Sequence, residues 1–517
     1  MTAIWDKYKD ELIFHENGEK ISVIENCIDR HAAKNPNKTA FIFEDGGKIV
    51  KYTYKQLQVE VNKFANLLRE NNVAENSRVV IFLPKIPEVV ISFLGTIKHG
   101  SIPMPLFEAF QQEGLEFRLE RGDANVLVTN TELSSRVAKD VHKKVLTLKS
   151  VFIVDSQEYK DKIKKCSSEF DNVLKNKEDT MTMIFTSSTA GTPVAGIQIP
   201  CYSIIQQYST AKLVLDLKED DVYWCTAHPG WVTGSIYGII APLLVGCTSY
   251  LYEGHFDAKK WIDIIKREKI SVMYTAPTAL RMLKPEVKKG DFDGVKNVCS
   301  VGEALPDTIF SFYKEIGIEI NDTYWQTETG AMMICNWPGM KKKYGSLGKA
   351  IPGIEAEIKD GTIVFKPGWP AMMTGIYKHE KMYKDYFKNG LFHTNDLAKM
   401  DSEGYFFFEG RKDDMIKTSG ERVSPLEIEA ILLGHGAVKE AAVIGVPDEL
   451  KGQVIEAFVV LNKNFNPSEE LKQELSLFVK QKYAGHSYPK IIKFVPSLPK
   501  TNSGKIIRMK LREMKDK

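Results

Sequence analysis

At 517 residues the chain exceeds what one hydrophobic core organises, so two or more domains are expected. Lysine and arginine total 70 against 67 for aspartate and glutamate, a net charge of +3 that argues against nucleic acid as a partner, although local basic patches can still meet phosphates. The seven cysteines are scattered, with no close pair for a zinc site or a redox motif, and the opening residues MTAIWDKYKDE are charged too early for a secretory signal; a cytoplasmic location with reduced thiols is expected.

In chain order, Thr53 followed by Gln56 makes a capping box, and Leu57, Val61, Phe64, Ala65 and Leu68 form one face of the helix it starts. RVVIFL (78–83) is a short buried strand, an apolar helix ends near Gly100, and SIPMPL (101–106) is extended, which completes a β-α-β unit. The alternation continues through VLVT (126–129), VFIV (151–154), DVYWC (221–225), SVMYT (271–275) and NVCSV (297–301), and implies mostly parallel sheets covered by helices. Residues 229–252 carry no charge and are long enough to span a bilayer, but Gly230, Gly234, Gly238, Pro242 and Gly246 suit a core helix followed by a buried strand at 248–252, so no membrane span is expected.

After Tyr344 the texture changes to short strands with glycine turns as far as Gly410, a small β-rich subdomain of about 344–411. In the last hundred residues Ser424, Pro425 and Glu427 start a helix, strands follow at 441–446 and 454–461, a helix begins near Ser468, and 491–495 is a last strand. The expected fold class is therefore α/β. A large N-terminal domain (1–412) holds two mostly parallel, helix-covered sheets and the β-rich subdomain, and a small mobile α+β C-terminal domain occupies 413–517.

Two stretches carry chemistry. In NDTYWQTETG (321–330) an approach through Ile318 and Ile320 ends in Thr323, Gln326, Thr327, Glu328 and Thr329, and Gly330 lets the backbone turn, so polar groups are displayed from a strand end. Glu328 is the only carboxylate after Asp322 there, suited to holding Mg2+ with help from phosphate oxygens. A strand at 183–185 leads into TSSTAGTPVAG (186–196), whose hydroxyls and backbone N–H groups can wrap a phosphate chain.

TYWQTETG resembles the acidic signature of the adenylate-forming enzymes, a superfamily of acyl-CoA synthetases, peptide synthetase adenylation domains and luciferases, and its tryptophan resembles that of the acetyl-CoA synthetase branch. TSSTAGTPVAG, WCTAHPGWVTG (224–234), SVGEAL (300–305), HTNDL (393–397), GRKDDMIKTSGERVSPLEIE (410–429) and LPKTNSGK (498–505) match further motifs in the same order. The resemblance implies a two-step reaction: a carboxylate attacks the ATP α-phosphate to give acyl-AMP and pyrophosphate, and coenzyme A then displaces AMP. ATP, Mg2+ and coenzyme A are the implied cofactors.

It also implies roles for named residues. Lys505 would stand between the acyl carboxylate and the α-phosphate, with Thr186 and Glu328 as further catalytic groups. Ser187, Ser188, Thr189 and Gly191 would cradle phosphates, Gly302 and Glu303 would lie beside adenine, and Asp322, Thr323, Tyr324, Gln326 and Thr327 would also belong to the nucleotide site. Asp396 resembles the aspartate that accepts both ribose hydroxyls, Arg411 the arginine on ribose and phosphate, and Arg422 one that meets phosphate in the adenylation state. Asp413 resembles the hinge, and Ser419 and Gly420 the lining of the coenzyme A site. Leu433, His435 and Val438 match a magnesium site of the acetate branch in which two ligands are backbone carbonyls. Trp231, Val232, Thr233 and Gly234, with Val301 and Trp325, match an acyl pocket whose indole leaves room for a methyl or ethyl group.

The departures are specific. The phosphate loop has Ser188 in place of glycine, Ala190 in place of threonine, and Val194 and Ala195 in place of lysine and glycine; Asn395 replaces a glycine and His228 an aspartate. The expected function is that of an acetyl-CoA synthetase acting on acetate or another short acid such as propionate. The alternatives are a ligase for another small, branched or medium-chain acid, and an adenylate-binding protein whose catalysis is weakened by the altered loop. The resemblance leaves room for a homo-oligomer and for a lysine acetyltransferase or deacetylase acting at Lys505.

Overall fold

The capping box forms as expected. Thr53 Oγ1 accepts from the Gln56 N–H at 3.2 Å, Gln56 Oε1 accepts from the Thr53 N–H at 2.9 Å, and the helix Tyr54–Glu70 buries Leu57, Val61, Phe64, Ala65 and Leu68. The computed structural model describes residues 2–185, 196–303, 305–343, 345–412, 414, 416–418, 421–423, 425–448, 452–482, 488–500 and 506–514.

The β-branched and aromatic runs become two sheets. The larger has nine strands in the order Lys349–Ala350, Ile334–Cys335, Ile320–Tyr324, Asn297–Ser300, Val272–Thr275, Val222–Cys225, Thr248–Glu253, Thr39–Asp45 and Lys48–Thr53. The six from Ile320–Tyr324 to Thr39–Asp45 run parallel, and only the flanking strands are antiparallel. The smaller sheet is wholly parallel: Ile102–Leu106, Arg78–Phe82, Val126–Thr129 and Ser150–Ile153. One apolar core joins the two sheets and takes in the helices Tyr54–Glu70 and Pro87–Lys98. The expected pair of mostly parallel, helix-covered sheets is present.

The segment expected to wrap phosphate is framed by two antiparallel strands. Thr180–Ile184 pairs antiparallel with Ile197–Pro200, with Ile184 opposite Ile197, and Gly375–Ile376 completes a three-stranded sheet. Residues 186–195 therefore connect two antiparallel neighbours. The short-strand region forms a five-stranded antiparallel sheet of Ala356–Lys359, Thr362–Phe365, Leu391–Met400, Phe387–Lys388 and Phe406–Arg411.

The uncharged stretch 229–252 folds as the helix Val232–Ser235, a π-helical turn Ile236–Ile240, the helix Ala241–Val245 and the strand Thr248–Glu253. Gly246 closes the last helix at φ +83, where a Cβ would meet the His31 ring at 2.5 Å. Among the described residues no helix is long and apolar enough to cross a membrane.

The smaller C-terminal domain is built on one long hairpin, Val438–Asp448 with Gly452–Leu461, longer at both ends than the apolar runs suggest. Ile491–Phe494 lies parallel to the second strand, and Ile416–Thr418 and Glu421–Val423 complete the sheet. Ser468 Oγ accepts from the Leu471 N–H at 3.1 Å at the start of the helix Glu469–Lys482. That helix and Pro425–Leu433 bury Leu475 and Ile428 in a core separate from that of the large domain.

Candidate active site

The parallel strand Ile320–Tyr324 carries the site. Ser300 lies opposite Asp322 in the parallel register and donates its hydroxyl to Asp322 Oδ1, which also accepts from the Thr323 N–H at 3.1 Å. Burial pushes the Asp322 carboxyl up to about 7, with Ser300 opposing the shift. Thr323 Oγ1 donates to the Ser300 carbonyl at 2.7 Å and meets the Tyr274 hydroxyl at 2.8 Å. Asp322 and Thr323 thus tie this strand to its neighbours.

Beyond the strand, Thr327–Thr329 makes a single 3-10 turn, closed by Thr329 Oγ1 accepting from the Gln326 N–H at 3.0 Å. Gly330 follows at φ +69, and a Cβ there would lie 1.9 Å from the Ala371 carbonyl oxygen, so glycine is required for both conformation and space. The turn holds Glu328 half-buried, with the Tyr386 hydroxyl donating to Oε1 at 2.8 Å. Burial raises the Glu328 pKa; its own backbone and Tyr386 oppose that.

Asp396 and Arg411 face each other across the strands Leu391–Met400 and Phe406–Arg411, with Arg411 Nε 3.8 Å from Asp396 Oδ1. Asp396 Oδ2 accepts from the Tyr324 hydroxyl at 2.8 Å and from Gln326 Nε2 at 2.6 Å, so the antiparallel sheet is latched to the end of the parallel one. Asn395 adopts φ +61, the conformation that its replacement of glycine demands. Gly302 sits at φ +97 after the strand Asn297–Ser300, and the Glu303 carboxylate is held by Thr278 and by Arg281 Nη2 at 3.0 Å.

Of the residues expected to line an acyl pocket, Val301, Val232 and Trp325 all pack into the large-domain core, as do Tyr237 and Tyr274. Trp325 donates Nε1–H to the Tyr274 hydroxyl at 3.1 Å and meets Tyr237 edge-on, centroids 5.1 Å apart at 77°. Thr233 and Gly234 lie in the helix Val232–Ser235, and Trp231 precedes it, stacked on Phe107 at 5.4 Å and 29°. The structure thus gathers Tyr324, Gln326, Asp396 and Arg411 in one polar group, and Val232, Val301 and Trp325 all belong to the core that joins the two sheets.

Tyr386, Tyr274, Tyr237 and Phe107 were not anticipated. Tyr274 and Phe107 sit at or just after strands that were read correctly. Tyr386 stands in YKDYFKNG, with no local mark of a partner in Glu328.

Thr186, Ser187, Ser188, Thr189, Gly191, Asp413, Ser419, Gly420 and Lys505 lie outside the described residues. Arg422 is described only as backbone, opposite Lys417. Leu433 ends the helix Pro425–Leu433. The His435 ring is engaged on both sides: Nδ1 accepts from the Ala437 N–H at 3.2 Å and Nε2 lies 3.0 Å from Glu474 Oε1, while the His435 carbonyl accepts from the Val438 N–H at 2.9 Å. Among the described residues no group of three or more His, Cys, Asp or Glu side chains converges as a metal cage. A half-buried carboxylate such as Glu328 fits instead an ion shared with phosphate oxygens.

The family described as AMP-binding enzyme matches residues 28–368, and the AMP-binding enzyme C-terminal domain matches 427–505. The acetyl-coenzyme A synthetase of Bacillus subtilis (strain 168) is 43% identical over 520 residues, covering 95% of this chain and 90% of that protein. That of Methanothrix thermoacetophila is 37% identical over 545 residues, covering 95% of this chain and 82% of the relative. Among solved structures, the anthranilate CoA ligase AuaEII in complex with anthranoyl-AMP superposes with a TM-score of 0.86 at 27% identity, covering 96% of this chain and 97% of that one. With both matches in order along one chain and a relative 43% identical over 95% of it, the chain belongs to the AMP-binding enzyme family.

Proposed function

We propose that the chain is an AMP-forming acetate–CoA ligase, activating acetate or a similarly short acid with ATP and passing the acyl group to coenzyme A. The observation that carries this is Trp325, held by Tyr274 and Tyr237 just after the strand Ile320–Tyr324, between Tyr324 and Gln326, which latch Asp396, and ahead of the turn that bears Glu328; an indole held there limits the acid to a short chain. The relatives named acetyl-coenzyme A synthetase support the same reading.

Asp396 receives the ribose hydroxyls, with Tyr324 and Gln326 keeping its carboxylate oriented. Arg411 faces the ribose and phosphate. Glu328 would hold a magnesium ion that enters with the nucleotide, which would supply charge neutralisation at the phosphates. Lys505 brings its ammonium between the two anions that must meet, and the smaller domain turns about Asp413 between the two steps so that Ser419 and Gly420 line coenzyme A. All seven cysteines are buried free thiols, which supports a reducing, cytoplasmic setting.

Pyrophosphate release across a panel of carboxylic acids tests this. Acetate or propionate should lead. A preference for aryl or medium-chain acids would replace the substrate assignment, and no acyl-AMP at saturating ATP would favour the adenylate-binding alternative.

A further inference from the structure

The turn 228–234 is pressed onto the other sheet without room for side chains at its glycines. A Cβ on Gly230 would lie 2.4 Å from the Leu106 carbonyl carbon and from the Phe107 nitrogen, and one on Gly234 would lie 2.1 Å from the His228 carbonyl oxygen. The turn leaves the strand Val222–Cys225 of the larger sheet, and the backbone it touches ends the strand Ile102–Leu106 of the smaller one. The junction between the sheets therefore fixes where Trp231 to Gly234 stand.

One side chain clamps the turn. His228 is 4% exposed, and its Nδ1 accepts from the Gly230 N–H at 2.8 Å while its carbonyl accepts from the Trp231 N–H at 2.9 Å. Its ring meets Phe107 edge-on, centroids 4.9 Å apart at 89°, and the same Phe107 ring carries Trp231 stacked on it. Burial, reinforced by Lys85 and opposed by the Leu83 carbonyl, drives the imidazole pKa far down, so the ring is a neutral acceptor at Nδ1. Nε2 is buried without a well-formed hydrogen bond, so the ring is held by Gly230 and by packing.

We propose that His228 is a positioning residue for acyl selection: it fixes the Gly230 amide and, through the shared Phe107 ring, the plane of Trp231, and so sets the length of acid accepted. This rests on the reading of Trp231 to Gly234 as the acyl wall. An aspartate at 228 would stand as an anion within reach of Lys85, whereas histidine supplies an uncharged acceptor for the Gly230 N–H in the same place.

The test compares His228→Asn, whose Oδ1 can take the Gly230 N–H, with His228→Leu, which cannot. Phe107→Leu and Trp231→Ala run beside them. The readouts are kcat and KM for acetate, propionate and butyrate, and KM for MgATP. His228→Leu should shift the ratio of kcat/KM for butyrate over acetate by roughly tenfold, the scale of one methylene in a pocket, with KM for MgATP nearly unchanged, and His228→Asn should restore the parent ratio. Phe107→Leu should move the ratio in the same direction and decides the matter if His228→Leu does not fold. A flat ratio in Trp231→Ala overturns the acyl-wall reading and this inference with it. A shift in Trp231→Ala with none in His228→Leu or Phe107→Leu, or equal loss for acetate and MgATP, overturns the inference alone.

Discussion

The Tyr386 hydroxyl donates to Glu328 Oε1 at 2.8 Å, joining the residue after the helix Glu380–Asp385 to the 3-10 turn that follows the site strand. The Tyr386 ring is itself held by stacking on Phe392, centroids 5.4 Å apart at 19°. Glu328 is therefore aimed by a rigid partner from the β-rich region.

Tyr386→Phe keeps that stacking and removes the donor. A hydrogen bond to a charged group contributes about 1.5–3 kcal/mol, and about 1.4 kcal/mol is tenfold in an equilibrium constant. KM for MgATP should rise by roughly tenfold or more, with little change when acetyl-AMP is supplied to the second half-reaction. Equal losses in both half-reactions would show that Tyr386 does not act through Glu328.

Asp322 should make stability fall as pH rises. Its folded pKa of about 7 lies above the ordinary 3.8, so between those values the folded state binds more protons than the unfolded one. The contribution is absent below about pH 4, where both states are protonated, and complete above about pH 7. Asp322→Asn retains an oxygen for Ser300 and Thr323 and carries no charge, so its Tm relative to the parent should climb across that window and level off above it. A difference independent of pH would show that the carboxyl ionises freely.

The structure separates two glycines that look alike in sequence. Gly330 has φ +69 with the Ala371 carbonyl against it, whereas Gly317 has φ +90 with nothing within 4 Å of an added Cβ. Gly317→Ala should cost about 1–2 kcal/mol from backbone strain. Gly330→Ala adds a steric term of about 1–3 kcal/mol and displaces the turn that carries Glu328, so urea unfolding should rank it well below Gly317→Ala. Equal midpoints would mean that the Ala371 segment yields without cost.

Trp325→Gly should weaken acetate use and admit longer acids, because a small acid in an enlarged cavity loses contacts. The substitution also removes the donor to Tyr274, which keeps Thr323 as a partner and so does not become an orphaned buried hydroxyl. Initial rates across the acid series measure the effect; an unchanged chain-length preference would move the pocket floor to another side chain.

Much of the parallel core was legible because strands such as Arg78–Phe82, Val126–Thr129 and Val272–Thr275 are dominated by β-branched and aromatic residues between turn signals, and the helix at Thr53 because its cap is local. Legibility failed where partners are distant. Ile197–Pro200 mixes glutamine and proline into four residues and follows a small-residue loop, so nothing local marks it as a strand; its antiparallel pairing with Thr180–Ile184 is a tertiary fact. Lys439, Glu440 and Pro447 interrupt the apolar run of the long hairpin and hide its true length. Asp396 was marked by its motif, but its hydrogen bonds from Tyr324 and Gln326 come from 72 and 70 residues away, and Tyr386 carries no mark of Glu328 at all.

The last prediction concerns the loop 186–195, where Val194 takes the place of a lysine. Losing one charge-assisted contact to phosphate costs about 1.5–3 kcal/mol, so at about 1.4 kcal/mol per tenfold ATP should bind roughly ten- to a hundredfold more weakly than to a lysine-bearing loop. On the proposed reading Asp396 and Arg411 would contact the ribose and α-phosphate end of the nucleotide, so AMP and acyl-AMP should be held almost normally. Val194→Lys should accordingly lower KM for MgATP and leave the conversion of acetyl-AMP to acetyl-CoA unaltered, while Lys505→Ala should abolish acyl-AMP formation and spare much of that second step. The measurement is the pair of half-reaction rates for the parent and both variants. If Val194→Lys changes nothing, the loop's hydroxyls already replace the missing charge; if Lys505→Ala impairs both half-reactions equally, the lysine does not withdraw between the steps and the turning of the smaller domain loses its chief support.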